Sequence, residues 1–175
     1  MNISGFYKEL ENSLPKSTSD DRKIWASTII REDLDIKYLS KLVLCKEEVA
    51  SRFLWLLSEI GEIDSSKLFK ELPFLLDLND KIKHVDTEAS FANYWLISGV
   101  PIENEAKAID LMFTWIQSAD VNVTAKSRSL FVLFNLTKKY PELKNELKIC
   151  LEDQMDKNTK DFSKRVKKIL NKLEQ

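Results

Sequence analysis

An internal repeat is the feature of this sequence that most constrains its fold. The segment SRFLWLLSEI at 51–60 matches SRSLFVLFNL at 127–136, and the offset of 76 is twice 38. A shift of 38 also aligns Phe53 with Phe91. A period of this length is typical of arrays in which each unit buries its apolar face against its neighbours. The period therefore predicts a fold built by stacking one small unit.

Each unit is predicted to be a pair of helices. A shift of 38 aligns Gly61 with Gly99, and a shift of 37 aligns Arg128 with Arg165. Apolar residues recur at i, i+4, i+7 and i+8, which puts one stripe on one helix face, and no period-two alternation is present. The predicted pairs are 36–45 with 47–61, 65–78 with 86–99, 103–118 with 123–139, and 141–154 with 160–173.

Composition favours an all-α fold. Three glycines and four prolines in 175 residues are too few for the tight turns of a sheet-rich protein. We predict a single domain over 1–175, in which helices within 1–35 cap the array. About four repeats are then predicted, over 36–61, 65–99, 103–139 and 141–173.

Local signals mark where several helices begin. Asp64 precedes the helix at 65, Thr87 follows Asp86 before the next helix, and either Thr159 or Asp161 is placed to cap the last one. Pro73 conflicts with this pattern because it lacks a backbone N–H, so it predicts a kink or a later start for the helix over 65–78.

The repeat resembles the HEAT family. The segments CKEEVASRFLWLLSEIGE at 45–62 and ELKICLEDQMDKNTKDFSKRVKKIL at 146–170 carry the likeness: an aliphatic helix, a short acidic turn, and a second helix with an early arginine. The resemblance implies an armadillo-like solenoid, a right-handed α-α superhelix whose second helices line a concave face. It also implies a non-enzymatic scaffold that binds another macromolecule there, most often a protein.

A narrower resemblance is to small bacterial HEAT-like proteins, some of which carry the label adenylosuccinate lyase. The segments 108–118, 133–147 and 162–173 support it. The Gly-Ser-Ser-x-Met-Pro signature of that lyase superfamily is absent from this sequence. The pair Ser65 and Ser66 lies at a predicted helix start, where capping accounts for it. We therefore expect the chain not to be an enzyme.

The sequence contains little that suggests catalysis or a cofactor. Its one histidine, His84, lies near Asp77, Asp80 and Asp86, in a spacing that matches no metal loop and that a polar connection between helices explains. No glycine-rich phosphate loop occurs. We predict no catalytic residue, no cofactor and no metal.

The remaining chemistry-bearing side chains are expected to be structural. Cys45 and Cys150 are separated by 105 positions without companion ligands, so we expect reduced thiols. The four tryptophans lie in amphipathic stretches and are expected to pack in the core rather than to form a stacking platform. No apolar run is long enough to cross a bilayer and no leader peptide is evident, which predicts a cytoplasmic protein with no membrane partner.

Three arginines are the candidate binding residues. Arg52, Arg128 and Arg165 recur near the starts of second helices, so on a concave face they could form a ladder. From 156 onward, seven basic residues stand against three acidic ones, although the whole chain has a net charge of −1. Such polarity favours an acidic partner. The alternative is that these arginines pair with acidic residues of adjacent turns and only stabilise the fold.

The partner predicted from the sequence is an unidentified protein. The alternative is nucleic acid, by resemblance to HEAT-like DNA glycosylases that remove alkylated bases. The sequence pI of about 6.0 disfavours that alternative, because such binders are usually basic.

Overall fold

The computed structural model describes residues 2–82 and 85–174. Ten α-helices and four short 3₁₀ segments lie in these ranges, and no strand occurs in them. The all-α class is therefore confirmed. His84, the single histidine, falls outside the described residues.

The chain divides into two compact units, an N-terminal unit over Met1–Asn104 and a C-terminal unit over Glu105–Gln175. The prediction of one domain over 1–175 stays a prediction. The helices of the N-terminal unit are α1 (Ile3–Ser13), α2 (Ser19–Arg31), α3 (Ile36–Leu39), α4 (Glu47–Ile63), α5 (Ser65–Asn79) and α6 (Glu88–Ser98). Those of the C-terminal unit are α7 (Glu105–Gln117), α8 (Val123–Leu136), α9 (Leu143–Gln154) and α10 (Lys160–Leu173).

The predicted helix pairs agree with these bounds to within a few residues, with one clear difference. The first helix expected over 36–45 is only α3, followed by a 3₁₀ segment over Ser40–Leu44. Ser40 lies at the change, and its hydroxyl donates to the Ile36 carbonyl at 2.7 Å. Side-chain bonds of this kind compete with the regular helix ladder.

Pro73 does not delay the start of α5. The helix runs from Ser65 to Asn79 with Pro73 inside it. Its start is secured by Asp64, whose carboxylate accepts the Lys67 N–H at 3.0 Å and the Ser66 hydroxyl at 2.7 Å. A cap of this kind is worth about 1 kcal/mol, which favours a helix start at 65.

Of the two other predicted helix starts, that of α10 is capped by a side chain and that of α6 is not. Thr159 caps α10 by accepting the Phe162 N–H at 3.3 Å, so of the two proposed residues the threonine is the cap. Thr87 occupies the N-cap position of α6 but forms no side-chain cap bond. A capping box between Thr18 and Asp21 begins α2. Hydrogen bonds from Thr18 hold the pKa of Asp21 below its usual range.

Within each unit, helices in corresponding positions stack on one another. In the N-terminal unit α2 packs on α4, and α4 packs on α6, while α3 contacts α5. In the C-terminal unit α8 contacts α10, and α7 contacts α9. The two members of each later pair also touch, as in α5 with α6 and α7 with α8. First helices and second helices therefore form separate rows in each unit.

Contacts between neighbouring pairs join residues that are roughly one repeat apart. The Tyr94 hydroxyl on α6 donates to the Leu54 carbonyl on α4 at 2.6 Å, a separation of 40 positions. The Lys126 ammonium on α8 donates to the Asn158 side chain before α10 at 2.9 Å, a separation of 32. These values bracket the period of 38 that the sequence predicts.

The two glycines that the repeat aligns have different roles. A Cβ at Gly61 would lie 2.5 Å from Cδ2 of Leu68, because α4 and α5 approach closely there. Gly99 ends α6 with φ of 86°, a conformation that favours glycine. Their alignment is therefore not a shared structural position.

Each described helix is too short or too polar to cross a membrane.

Candidate binding surface on the second helices

The second helices of the predicted pairs are α4 and α6 in the N-terminal unit and α8 and α10 in the C-terminal unit. Arg52 lies on α4, Arg128 on α8 and Arg165 on α10. Arg128 and Arg165 line one cleft within the C-terminal unit. Arg52 belongs to the N-terminal unit, where its neighbours are an aromatic ring and a second arginine.

Trp55 forms the centre of the site around Arg52. The guanidinium carbon of Arg52 lies 4.4 Å from the centroid of the Trp55 ring, and that of Arg22 lies 5.2 Å from it. Both distances are within the range of cation–π attraction. Trp55 is 46% exposed. We call Arg22, Arg52 and Trp55 the Trp55 cluster.

Arg22 is held in place from α2. Its Nη1 donates to the backbone carbonyl and to the hydroxyl of Ser17, both at 3.2 Å. The residue is only 7% exposed, and its buried Nε has no hydrogen-bond partner. Arg22 is therefore a rigid support for one side of the Trp55 ring.

The Trp55 cluster carries two positive charges close together. Burial and the Arg52 charge lower the pKa of Arg22, whereas the carboxylates of Glu59 and Asp21 raise it. Neither Arg22 nor Arg52 forms an ion pair with a carboxylate of the described residues. Glu59 is the acid of α4 whose charge acts on Arg22, and its Oε1 accepts the Ser19 hydroxyl at 3.3 Å. The cluster therefore presents a cationic aromatic surface that lacks a bonded counter-ion.

The exposure of Trp55 departs from the expectation that all four tryptophans pack inside. Trp95 and Trp115 are buried and Trp25 is half-buried. On α4 the buried face is formed by residues that include Phe53, Leu56 and Leu57. Trp55 lies between them in sequence, on the opposite side of the helix. Large exposed aromatic residues beside arginine are the residue types enriched at binding hot spots.

A second basic feature is an open cleft of about 490 Å³ between α8 and α10. We call it the α8–α10 cleft. Two arginines, three hydroxyl residues and one acid lie along it: Thr124, Ser127, Arg128, Thr159, Asp161 and Arg165. Both helices begin at the cleft, since its lining includes first-turn residues of each.

Lys126 fixes the two sides of the cleft. The residue is 4% exposed, and its ammonium donates to Asn158 just before α10 begins. Asn158 in turn donates to the Gln154 carbonyl at the end of α9 at 2.9 Å. Burial lowers the pKa of Lys126. This lysine therefore bridges α8 to the segment just before α10, next to the cleft.

The arrangement separates the three arginines predicted from sequence into two sites. It also adds Arg22 and Ser127, which sequence reasoning did not single out. The repeat offers no signal for Arg22, because that residue precedes the aligned segments. Ser127 is aligned with Ser51, but the alignment alone assigns no binding role to either serine.

The other sequence candidates do not assemble into a site. Among residues 2–82 and 85–174, no three histidine, cysteine, aspartate or glutamate side chains group as metal ligands would. Cys45 is half-buried and Cys150 is buried, and both are free thiols.

Cys150 is expected to be a poor nucleophile. Burial and the nearby carboxylates of Asp153 and Glu146 raise the pKa of its thiol to about 11. At pH 8 only about 0.1% of such a thiol is ionised, so iodoacetamide should alkylate it about a hundredfold more slowly than a free cysteine. Mass spectrometry of timed samples measures this rate, with Cys150→Ser identifying the signal from Cys45. A rate equal to that of a cysteine peptide would contradict the burial.

Comparison of the chain with protein-family models, with curated proteins and with solved structures finds no match in any of the three. Function is therefore inferred from the geometry of the second helices.

Proposed function

We propose that this chain is a non-enzymatic, HEAT-like helical-repeat scaffold of the cytoplasm that binds another protein along the surface of its second helices. The observation that carries the proposal is the Trp55 cluster, an exposed tryptophan in contact with two arginines that lack bonded carboxylates. The partner surface is expected to be acidic, with an apolar or aromatic residue to cover Trp55.

The repeat part of the proposal is supported by the rows of helices. Corresponding helices stack in each unit, and cross-pair hydrogen bonds join residues 32 to 40 positions apart. Such nearest-neighbour contacts are the way in which solenoid repeats bury their apolar faces. A right-handed superhelix of about four repeats, with α1 and α2 as the N-terminal cap, is the architecture we propose on this basis.

The binding part is supported by the energetics of tryptophan and arginine at interfaces. A few residues carry most of the binding energy, and Trp and Arg are among the residues enriched there. Arg22 is held by Ser17, so covering the Trp55 ring would cost little side-chain entropy on that side. The two guanidinium groups would favour an acidic partner and accelerate its association.

The test is affinity capture with the full chain and the Trp55→Ala variant. A lysate of the cells that naturally express the protein is passed over both, and retained proteins are identified by mass spectrometry. A partner retained by the unmodified chain is then purified, and its affinity for Trp55→Ala should be about 30-fold lower, the size of a hot-spot loss. Arg52→Ala should show a smaller loss that shrinks as salt is raised.

Ile149→Ala is the matched control. Ile149 is 69% exposed, but it lies on α9, a first helix of the other unit. Its replacement should leave the affinity unchanged. Equal binding by Trp55→Ala and by the unmodified chain, with helical circular dichroism intact in both, would contradict the proposed surface. Retention of duplex DNA at low salt in place of a protein would instead favour the nucleic-acid alternative.

A further inference from the structure

Ser127 supplies a hydroxyl to the α8–α10 cleft. Ser127 lines the cleft and is 7% exposed. Within the described part of the chain, its hydroxyl forms no hydrogen bond. On α10 the Ser163 hydroxyl instead donates to the Met155 carbonyl at 2.6 Å. The Ser127 hydroxyl is therefore a donor that a bound group in the cleft could engage.

Two arginines from different helices share the cleft with Ser127. Arg165 on α10 is exposed, and Arg128 on α8 is half-buried. Burial lowers the pKa of Arg128, so its charged form is partly deprived of water. An anion beside a partly desolvated guanidinium is attracted more strongly than one in bulk water. The planar fork of arginine matches the oxygens of phosphate and carboxylate.

The starts of α8 and α10 add to the positive potential. Val123 and Thr124 belong to the first turn of α8 and Asp161 to that of α10, and all three line the cleft. First-turn N–H groups have no acceptor within their own helix and carry partial positive charge. In α8 the Asn122 side chain accepts only the Ala125 N–H, at 2.9 Å. These groups strengthen a site that the arginines and Ser127 define.

Asp161 is the one acid that lines the cleft, and it opposes an anion. Its side chain is 82% exposed and lies 3.5 Å from the Lys164 ammonium. Solvent and this lysine therefore weaken its repulsion. Among the residues that line the cleft, Arg128 and Arg165 outnumber it. The balance around the cleft remains positive.

We propose that the α8–α10 cleft binds a phosphoryl group in its phosphomonoester or free phosphate form, held by Arg128, Arg165 and the Ser127 hydroxyl. This goes beyond the proposed binding of a protein at Trp55. A phosphoryl group presents three or four oxygens, and the cleft offers two guanidinium forks and the hydroxyls of Ser127 and Thr124. A carboxylate, with two oxygens, would leave donors unused.

The experiment uses the full chain and inorganic phosphate as the probe. Phosphate is titrated at pH 7.5 and constant ionic strength, and the amide signals and arginine Nε–H signals are followed by heteronuclear NMR. We expect saturable shifts at Ser127, Arg128 and Arg165. Sodium acetate at the same concentrations should bind about tenfold more weakly. No saturable shift with phosphate, or equal affinity for acetate, would overturn the proposal.

Substitutions identify the contacts. Arg165→Gln should weaken phosphate binding about tenfold or more, the loss expected for a hydrogen bond to a charged group. Arg165 is exposed, so this variant should fold normally. Ser127→Ala should weaken binding several-fold. Lys23→Gln, at an exposed position of the N-terminal unit outside both proposed sites, is the control and should bind as the unmodified chain does. Unchanged affinity in Arg165→Gln would overturn the assignment of the cleft.

Two further probes distinguish the source of the phosphoryl group. A blocked Gly-phosphoserine-Gly peptide that binds more tightly than inorganic phosphate would assign the cleft to a phosphorylated side chain of a protein. Tighter binding of inorganic phosphate would assign it to a free small molecule. A 12-base-pair DNA duplex that displaces both and binds more tightly would overturn the phosphomonoester assignment, because its phosphodiesters are monoanions.

Discussion

Replacement of Phe53 by alanine is expected to destabilise the N-terminal unit by about 3–5 kcal/mol. The Phe53 side chain is fully buried on α4, and α4 is the helix on which α2, α5 and α6 all pack. Removing the ring therefore leaves a cavity in the buried face of α4. It closes only if the neighbouring helices shift toward α4. Domains are stable by about 5–15 kcal/mol in total, so the loss is a large fraction of the whole.

Urea unfolding followed by circular dichroism measures this loss. Trp55→Ala is the matched comparison, because it removes another large aromatic ring from the same helix, two positions away. Trp55 is nearly half exposed, so its replacement should cost about 1 kcal/mol. A Phe53→Ala variant as stable as Trp55→Ala would show that α4 does not pack as described.

These two variants also separate folding from binding. Phe53→Ala should lower stability while the folded fraction retains the Trp55 cluster. Trp55→Ala should retain stability and lose the partner. If both variants bind less partner in proportion to their loss of stability, the capture experiment measures the folded fraction. It then gives no evidence for a binding surface at Trp55.

Replacement of Glu105 by alanine is expected to destabilise the C-terminal unit by about 2–4 kcal/mol. Glu105 is 5% exposed at the start of α7. Its Oε2 accepts the Tyr140 hydroxyl at 2.5 Å and the Lys139 ammonium at 2.7 Å. The same hydrogen bonds raise the pKa of Lys139. Because the Lys139 side chain is about half exposed, it can return to water when its partner is lost, which limits the cost.

A double-mutant cycle with Tyr140→Phe isolates the hydroxyl–carboxylate bond. Its coupling energy should be about 1.5–3 kcal/mol, as for hydrogen bonds to charged groups. Glu152→Ala removes an exposed acid from α9 and should change stability by less than about 0.5 kcal/mol. Additive effects of Glu105→Ala and Tyr140→Phe would contradict the buried contact.

We expect protein binding at the Trp55 cluster and phosphate binding in the α8–α10 cleft to be independent of each other. The cluster lies on α2 and α4 of the N-terminal unit, and the cleft on α8 and α10 of the C-terminal unit. A variant of one is therefore a control for the other. Loss of protein binding with phosphate binding intact, or the reverse, identifies which surface a variant has changed.

Helix content and helix positions were predictable from sequence because their causes are local. Apolar spacing of 3.6 residues predicts the buried stripe of each helix, and caps such as Asp64 and Thr159 act within three or four residues. The exception is α3, which changes to a 3₁₀ segment at Ser40. The apolar spacing of the sequence does not predict that change.

The candidate surface was predicted only in part. Arg52, Arg128 and Arg165 were identified because they recur with the repeat, but recurrence does not say which arginines share a site. Arg22 reaches Trp55 across two packed helices, and Lys126 reaches Asn158 across a separation of 32 positions. Such contacts between helices depend on how each helix is rotated about its axis relative to its neighbour. The spacing of residues in the sequence does not specify that rotation.

By itself, the sequence determined that this chain is helical, where most of its helices begin and end, and which residues recur with its period, because backbone capping and amphipathic spacing are short-range effects. Only the tertiary structure decided that Trp55 is exposed beside two arginines, that Glu105 is buried against Tyr140, and that Ser127 lines a basic cleft. Those outcomes depend on which face each helix turns toward its neighbours, and the burial of the larger apolar stripe on each helix determines that choice.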